Sequence, residues 1–543
     1  MTTPILIIGA GPVGLTMAAA LNHYDVPCRI IDKSTAPSDK SKALAVWCRT
    51  MELLDGLDLA DRFVQTGLKL TGGSMFAGGQ RLVHLDLTSS ESKFGFPLMI
   101  PQNQTEHLLL EHLASKGITV ERQVELLSMT DTGAEVDCIL RYPDGREETV
   151  SSPYVVGCDG AHSTVRHSLG MEFTGHAEPN DWMLADVHIE GPLAKDEVSI
   201  YWHETGVVAF FPIDHNRFRA IMDLGASGSH VLPSELSLPE VQAKVDLRGP
   251  GGLTLSDPIW LAYFRINERK VSNYRQGRVM LAGDAAHIHS PAGGQGMNTG
   301  MQDAFNLAWK LALIHQGKGQ PEPLLESYSL ERSAVGDEVL KNAARFTTMA
   351  TLRSPVARWL RNHIVPILGS FHVVKDKIRN DWFELSINYR SSPLTGECWN
   401  SLANEVQAGD RLCDTPIASL TTGHQTNLFS AIHSNRHTLL LIPGSTDAKE
   451  LSQLTHLATQ ASEIFPDALS THIILTPDTT PDTTPNLDFP AWLDIDNTLH
   501  HKFNAIHPTL LLIRPDGYIA YRNQPADISH LLSFMDTYLI RKK

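Results

Sequence analysis

The pattern of apolar and polar residues at the start of the chain predicts a buried strand, a tight turn, a helix and a second strand. Residues 4–8, PILII, form a short continuous apolar run of the kind that a buried parallel strand shows. GAGPVG follows at once, and the apolar positions after it recur at helical spacing: Val13, Met17, Ala20 and Leu21. A second apolar run, CRIID, ends on Asp32. This order predicts the opening of an α/β domain with a parallel sheet.

Later segments repeat the step from an apolar strand into a turn. YVVGCDGAHSTVR, residues 154–166, places Asp159 after a strand, and RVMLA, residues 278–282, places Gly283 and Asp284 at another strand end. Residues 171–275 contain alternating runs such as VSIYWHETGVVAFFPI, which predict an antiparallel sheet. Near residue 395 the composition changes, and a last unit holds the strands TLLLIPG, THIILT and PTLLLIR. We therefore predict an α/β protein of several domains.

Composition and charge exclude several classes of function. The net charge of -16 over 543 residues argues against nucleic acid as a partner, because such proteins need an excess of Lys and Arg on one face. The six cysteines contain no C-x-x-C pair, so we expect neither a disulfide framework nor a zinc site, and a reducing cytoplasm fits. An uninterrupted apolar run of about 18 residues, which a membrane span would need, does not occur.

The first glycine-rich turn predicts dinucleotide binding. Gly9 permits the tight turn, Gly11 lets main chain approach a pyrophosphate, and Gly14 lets the helix pack close to the strand. The helix N-terminus favours phosphate, and Asp32, followed by Lys33, stands where a carboxylate accepts from ribose hydroxyls. A tight turn without a ligand is the alternative, and the position of the motif does not distinguish NAD from FAD.

The segment GDAAHIHSPAGGQGMN, residues 283–298, combines a carboxylate with bare main chain. In an open parallel sheet, Asp159 and Asp284 at the carboxyl ends of strands lie where ligands bind. For each carboxylate alone, capping of a helix or turn is the alternative. His287 and His289 are interpreted as packing or hydrogen-bonding residues beneath this segment, and no spacing indicates a metal site.

Together, GAGPVGL, GCDGAHSTVR and LAGDAAHIHSPAGGQGMNTG resemble the class A flavoprotein aromatic monooxygenases, the para-hydroxybenzoate hydroxylase and phenol hydroxylase group. The resemblance covers roughly the first 390 residues. It implies a discontinuous Rossmann-type FAD-binding domain at 1–175 and 271–395, with an inserted antiparallel β-sheet substrate domain at 176–270. Residues 405–543 resemble the thioredoxin-like C-terminal domain of the phenol hydroxylase branch, here without C-x-x-C.

The resemblance also implies roles for individual residues. It places the FAD pyrophosphate on Gly9, Gly11 and Gly14 and the adenosine ribose on Asp32. Arg49 resembles the arginine that neutralises the pyrophosphate, and Gln102 resembles a cofactor-contacting glutamine, with Gln104 as the alternative. The remaining implied positions are Asp159 for FAD and NAD(P)H, Asp284 for the ribityl hydroxyls, Gly294 and Gly296 for bare main chain against the flavin, Met297 and Asn298 for backbone N–H groups, and Pro291 beside the ring.

The implied activity is an FAD-dependent monooxygenase. NAD(P)H is the transient reductant, and one oxygen from O2 reaches an aromatic or polyketide-like molecule through a flavin hydroperoxide. A Baeyer-Villiger or epoxidising oxygenase, or a flavin-binding protein without turnover, are the alternatives. The sequence departs from the family at Leu44, where phenol hydroxylase carries an aspartate, and at Lys42, where many relatives have arginine, so no catalytic base is named.

Two further segments carry predictions about contacts. In the alternating region we expect Tyr201 or Phe211 near the substrate, although core packing is the commoner role of such aromatics. Residues 353–372 combine arginines with apolar residues, and Pro355 and Pro366 favour a helix packed on its own domain or on a second subunit of a homodimer. Membrane-surface binding is the alternative for this segment.

Overall fold

The structure is a computed structural model that describes residues 3–89, 91–226, 235–291, 293–399, 406–432, 435–444, 448–480 and 487–542. The first 168 residues form a mixture of short strands and helices. In chain order they are β1 (Ile5–Ile8), α1 (Pro12–His23), β2 (Cys28–Asp32), β3 (Ala45–Val46), α2 (Cys48–Asp55), α3 (Ala60–Thr66), β4 (Leu68–Lys69), β5 (Gly72–Ala77), β6 (Gln80–Asp86), β7 (Leu98–Met99), α4 (Gln102–Ser115), β8 (Glu121–Arg122), β9 (Glu125–Asp131), β10 (Val136–Arg141), β11 (Glu147–Ser152), β12 (Val155–Gly157) and α5 (Thr164–Ser168).

Long strands follow, and then long helices. These elements are β13 (Thr174–Glu190), β14 (Glu197–His203), β15 (Gly206–Pro212), β16 (Arg217–Ala226), α6 (Leu238–Arg248), β17 (Thr254–Lys270), β18 (Arg275–Gln276), β19 (Val279–Leu281), a 3-10 turn (Gly283–Ala285), β20 (His287–Ile288), α7 (Gly296–His315), α8 (Pro321–Ala350), α9 (Pro355–Leu368) and α10 (His372–Trp382).

The C-terminal unit returns to short alternating elements. They are β21 (Gly396–Trp399), β22 (Pro416–Ser419), β23 (Gln425–Asn427), α11 (Leu428–Ile432), β24 (His437–Ile442), α12 (Ala448–Ile464), β25 (Leu469–Leu475), β26 (Ala491–Asp494), α13 (Thr498–Lys502), β27 (Thr509–Ile513), β28 (Ile519–Gln524) and α14 (Ile528–Met535).

The N-terminal sheet confirms the predicted strand, turn, helix and strand. Among the described residues its order is β18-β19-β12-β1-β2-β8, with β1 paired in parallel to both β2 and β12. All four residues of β1 are buried, and α1 packs between the sheet and α7, which explains why the strand is apolar on both faces. The strand ends that carry Gly9, Asp159 and Asp284 consequently meet at one edge.

The predicted antiparallel sheet is present and extends beyond residues 176–270. Its order is β20-β17-β13-β16-β15-β14-β5-β6. The pairing of β5 with β14 is parallel, and the other pairings in the sheet are antiparallel. Strands β5 and β6 come from residues 72–86, far upstream of the alternating region. Met75 of β5 therefore lines the same cavity as Trp202 of β14.

The C-terminal unit is an α/β layer around a sheet of order β21-β28-β27-β24-β25-β26-β22-β23 among the described residues. The boundary predicted at 405 lies outside the described residues, and β21 at 396–399 already belongs to this sheet. Buried ion pairs fasten the unit to the N-terminal part: Arg411 to Glu52, and Arg514 to Glu331 at 2.7 Å. Partners are needed at such depth because an unpaired buried charge is costly.

Helices α8, α9 and α10 lie over one end of the large sheet. Pro355 stands in the first turn of α9, where a missing N–H is tolerated, and the helix continues through Pro366. The predicted packing of this segment on its own domain is found on one side of α9 only, through Arg361 and Val365. In the described part of the chain, no helix combines the length and apolarity that crossing a bilayer requires.

Candidate active site

A cleft of about 510 Å³ lies between the N-terminal sheet and the large sheet that contains β13–β17, and it has two contrasting ends. Glycines and loop residues line one end, among them Gly11, Gly160 and Asp284. Aromatic side chains from strands and helices line the other, among them Trp182 and Trp202. A volume of this size is typical of small-molecule and cofactor sites.

The three N-terminal glycines have the geometry that a phosphate cradle needs. Gly9 has φ of +100°, and a Cβ there would lie 2.5 Å from the carbonyl oxygen of Cys158. A Cβ on Gly14 would lie 1.9 Å from the carbonyl oxygen of Gly9, so helix and turn are in direct contact. A Cβ on Gly11 would meet no heavy atom within 4 Å, and Gly11 lines the cleft. Main chain at Gly11 is therefore open to a ligand, whereas Gly9 and Gly14 shape the turn.

Asp32 orders this turn from the end of β2. Its Oδ2 accepts from the backbone N–H of Ala10 at 2.7 Å, and Oδ1 accepts from the N–H of Ser34 at 2.7 Å. Arg122 lies 3.7 Å from Oδ2, and Lys33 is exposed beside it. The half-buried carboxylate thus stands next to the glycine turn, as expected for a ribose-binding residue.

Asp159 caps a helix. Its carboxylate accepts from Ser163 Oγ at 2.5 Å and from the backbone N–H groups of Thr164 and Val165 at 2.7 and 3.2 Å. This is the alternative that the sequence left open, and it leaves the neighbouring Gly160 lining the cleft.

Asp284 faces the cleft from the 3-10 turn after β19. Its side chain is exposed to the cleft, and it accepts no hydrogen bond from the described residues. Desolvation by the surrounding protein raises the pKa of its carboxyl, while the charges of His287 and Lys42 act to lower it. A carboxylate so placed is ready to accept from ligand hydroxyls.

A buried carboxylate, that of Asp303, fixes the turn that carries Asp284. Asp303 accepts from Gly283 N–H at 2.9 Å and from Arg332 Nε at 2.6 Å, and it lies 2.8 Å from His287 Nε2. Burial opposes ionisation, but Arg332 and His287 hold the pKa of Asp303 below its usual value. His287 is therefore a hydrogen-bonding residue beneath the site, as predicted.

The glycine-rich loop ends in the first turn of α7. Gly294 has φ of +64°, and its carbonyl accepts from Trp47 Nε1 and Asn298 Nδ2, both at 3.1 Å. The buried Asn298 side chain also accepts from the Trp47 N–H at 2.9 Å and donates to Ala45 O at 2.9 Å. Asn298 consequently clamps the loop with its side chain, a role the sequence did not predict.

Backbone donors remain at the start of α7. The first bond of the helix runs from Thr299 N–H to Gln295 O at 2.8 Å, so the N–H groups of Gly296, Met297 and Asn298 precede the ladder. Gly296, Met297 and Pro291 line the cleft. A helix N-terminus directed at the cleft favours negative charge there.

The structure does not bring Arg49 to the cleft, which corrects the position predicted for it. Its guanidinium is 2% exposed, donates to Glu52 Oε2 at 2.9 Å and to the carbonyl of Asp516, and lies 4.9 Å from the Tyr518 ring. Arg49 thus holds the C-terminal unit. Lys42, seven positions earlier, lines the cleft instead, as does Arg219.

Gln102 lines the cleft at the start of α4. Its backbone N–H donates to Ala43 O at 3.0 Å and Ser41 Oγ at 2.8 Å, and its side chain donates to Glu106 Oε1 at 2.9 Å. Gln104, the alternative, is exposed and is not part of the described cleft lining.

Strand parity decides which aromatic residues reach the cleft. On β14, Ile200 and Trp202 face it, and on β15 Phe211 does, as predicted. Tyr201 points to the opposite face, where it stacks on Phe76 at 4.6 Å, so the expectation of Tyr201 near the substrate is not met. Successive side chains of a strand alternate between faces, and Tyr201 has the other parity.

Several cleft residues had no signal in the sequence analysis. Trp47, Phe346 and Trp382 line the cleft from segments that are distant in sequence. Arg219 on β16 forms a two-point ion pair with Asp186, with both distances 2.7 Å, and donates to Lys42 O at 3.2 Å. Arg219 therefore ties the large sheet to the loop that carries Lys42.

The described residues hold one group whose donor atoms lie close enough to bind a metal ion: His176, Glu178 and Glu268, within 4.8 Å of one another. It lies on the β13–β17 pair and is not among the residues that line the cleft.

Comparisons with known proteins agree with this site. Residues 2–343 match the FAD binding domain family, and the chain belongs to that family. It is 34% identical over 528 residues to 6-methylpretetramide 4-monooxygenase of Streptomyces rimosus, covering 96% of this chain and 90% of the relative. It is 29% identical to pentachlorophenol 4-monooxygenase of Sphingobium chlorophenolicum, covering 99% and 97%.

Solved structures show the same fold. OxyS anhydrotetracycline hydroxylase from Streptomyces rimosus superimposes with a TM-score of 0.77 at 28% identity, covering 99% of each chain. The chain is an FAD-dependent monooxygenase, and the predicted monooxygenase family and mixed α/β fold with an FAD-binding domain are confirmed. The thioredoxin-like architecture of the C-terminal unit stays a prediction.

Proposed function

We propose that this enzyme hydroxylates a flat, extended aromatic molecule of the polyketide type. The observation that carries the proposal is the division of one cleft into a main-chain end and an aromatic end. Indole and phenyl rings favour planar apolar ligands over compact polar ones. The names of the relatives, which include a pretetramide monooxygenase and an anhydrotetracycline hydroxylase, support this substrate class.

The main-chain end fits FAD. Bare backbone at Gly11 and Gly160 leaves room for a pyrophosphate against the N-terminus of α1, in the turn that Gly9 and Gly14 shape. The other residues that we assign to the cofactor are Asp32 and Lys33 beside the adenosine ribose, Lys42, Gln102, Asp159 through its turn, Asp284 for the ribityl chain, and Gly294, Gly296, Met297 and Asn298 beside the ring.

When bound, FAD accepts hydride from NAD(P)H and supplies activated oxygen from O2. The chain's own contribution begins at α7, whose first N–H groups would stabilise negative charge on a flavin bound at the main-chain end of the cleft. Pro291 lines the same cleft, and we assign it to the border between cofactor and substrate. The aromatic wall, with Phe211 and Trp202, excludes water and orients the substrate.

The ionisable side chains of the described cleft lining are Lys42, Cys158, Arg219, Asp284 and His289. Burial raises the pKa of the Cys158 thiol, which is therefore protonated at neutral pH. Burial lowers the pKa of His289 to about 4, so this imidazole is neutral at neutral pH. Leu44, which replaces the aspartate of phenol hydroxylase, also lines the cleft. We therefore favour a substrate whose ring is electron-rich without removal of a proton by an enzyme carboxylate.

The further parts of the proposal concern organisation. We propose the domain division 1–175 with 271–395, 176–270 and 405–543, with thioredoxin-like architecture in the last unit, which central strands flanked by α12 and α14 support. We also propose NAD(P)H as reductant and a cytoplasmic location, which the absence of C-x-x-C pairs favours.

The test measures NAD(P)H oxidation by the yellow holoenzyme across a library of phenols, naphthols and fused-ring polyketides. We expect oxidation to accelerate with extended aromatics and the product to gain one oxygen on a ring carbon. An ester or epoxide product would favour the Baeyer-Villiger or epoxidising alternative. Unchanged oxidation with every compound, despite bound FAD, would contradict the proposal.

A further inference from the structure

Helix α9 presents its apolar stripe to solvent, the reverse of an ordinary surface helix. The stripe recurs at helical spacing and consists of exposed side chains: Val356, Trp359, Leu360, Ile364, Ile367 and Leu368. Phe371 and Val373, 55% and 80% exposed, extend it to the start of α10. We call these eight side chains the α9 face. A contiguous exposed apolar surface of this kind marks an interaction site.

The inner side of α9 is fixed to the aromatic end of the cleft. Arg361 is buried, its guanidinium lies 4.0 Å from the ring of Trp202, and it donates to Met349 O at 3.1 Å. Trp202 and Met349 both line the cleft. The α9 face is therefore the outer surface of the cap over that end, and turning the stripe inward would expel a buried arginine from its contacts.

The charge around the α9 face is opposite to that of the whole chain. Residues 355–380 contain five Lys or Arg and one Asp, whereas the chain carries a net charge of -16. Beyond the stripe, Lys377 on α10 is exposed, and Arg358 on α9 and Lys375 on α10 are half-buried. We call these three side chains the basic rim; the one acidic residue, Asp376, pairs with Arg379 at 2.9 Å. An amphipathic helix with a Trp-containing apolar face and basic flanks fits the interface of an anionic membrane.

We propose that the α9 face docks on an anionic lipid surface. A second copy of the chain is the competing occupant, but a twofold dimer would pair the same face with itself. Such pairing would bring one basic rim against another, which is unfavourable. Anionic headgroups instead neutralise the rim while the apolar stripe enters the acyl boundary. This inference goes beyond the monooxygenase activity and does not depend on the substrate proposed above.

The test sediments the holoenzyme with phosphatidylcholine vesicles that contain or lack phosphatidylglycerol. We expect binding to the anionic vesicles at low salt and little binding to the neutral ones. The double variant Trp359→Ser and Ile364→Ser should bind these vesicles about tenfold more weakly or worse, because apolar area drives insertion. Lys375→Glu with Lys377→Glu should also weaken binding about tenfold, at anionic vesicles only.

The matched control is Ile259→Ser on β17. The Ile259 side chain is 67% exposed and does not belong to the α9 face. This variant should bind vesicles like the unmodified enzyme. Absence of sedimentation with anionic vesicles, or equal losses in control and Trp359→Ser variants, would overturn the proposal. A dimer seen by sedimentation velocity would also overturn it if the double variant Trp359→Ser and Ile364→Ser were monomeric, since the α9 face would then bind a second copy.

Discussion

The two ends of the cleft are built by different means. At the glycine end, main chain at Gly11, Gly160 and Gly294 lines the site. Buried side chains hold the adjoining loops, since Asp303 accepts from the Gly283 N–H and Asn298 donates to the Gly294 carbonyl. At the aromatic end, the side chains themselves form the wall, and the parity of each strand selects them. The first end thus depends on backbone shape and the second on which side chain occupies each strand position.

The largest effect is expected at Gly14. Gly14→Ala places a Cβ 1.9 Å from the Gly9 carbonyl, and neither backbone can retreat without separating α1 from β1. We expect a loss of about 4 kcal/mol or more in the free energy of unfolding, seen as failure to obtain folded protein or a large fall in Tm.

Gly11→Ala is the matched control for Gly14→Ala. Its Cβ meets no protein atom within 4 Å, so Tm of the apoprotein should change little while FAD binding weakens. Equal destabilisation by both substitutions would contradict the division between shaping and ligand-facing glycines.

At the aromatic end, two neighbouring aromatic residues on opposite faces of the sheet provide the comparison. Phe211→Ala removes a wall of the cleft, and we expect kcat/KM to fall by about 100-fold with FAD retention unchanged. Tyr201→Ala removes a ring that stacks on Phe76 on the opposite face, so it should lower Tm and leave KM nearly unchanged. The substrate assay and thermal unfolding together check both outcomes, and a raised KM for Tyr201→Ala would break the parity argument.

Glu384 is buried and links the segment after the aromatic wall to helix α7. It follows Trp382 of the aromatic wall and accepts from Gln302 Nε2 of α7 at 2.5 Å. Burial raises the pKa of Glu384 from 4.5 to about 8, so between these values the folded state holds a proton that the unfolded state releases. Stability should therefore fall as pH rises through this window, by at most about 1.4 kcal/mol per pH unit.

Glu384→Gln removes this titration and keeps the shape of the protonated acid. The variant should unfold with a flatter pH dependence and exceed the unmodified enzyme in stability near the upper end of the window. Parallel pH profiles from chemical denaturation would show instead that Glu384 is ionised when folded.

The sequence predicted the glycine end well because backbone geometry restricts the residue type. Gly9 has positive φ, and Gly14 contacts the Gly9 carbonyl, so spacing alone indicated the turn. The same logic located Asp284 at the end of β19. It could not show that Asn298 would clamp the loop, since its partners Ala45 and Trp47 lie more than 250 residues away in sequence.

The aromatic end was predictable only in part, because its membership depends on long-range register. The sequence predicted Phe211 and Tyr201 equally as residues near the substrate, and only the register of the paired strands shows which face each side chain occupies. Arg49 matched a family motif, but its environment is set by Asp516, 467 residues later. Trp47 and Trp382 reach the wall from separate segments that no local pattern joins.

The most direct test of the account is the FAD affinity of Asp284→Asn. The variant keeps the side-chain shape but loses a charge-assisted acceptor, which contributes roughly 1.5–3 kcal/mol, so the FAD dissociation constant should rise about tenfold to 100-fold. Tm of the apoprotein should stay unchanged, as it should for the exposed control Asp144→Asn. FAD retention equal to that of the unmodified enzyme would contradict the claim that the glycine end of the cleft holds the cofactor.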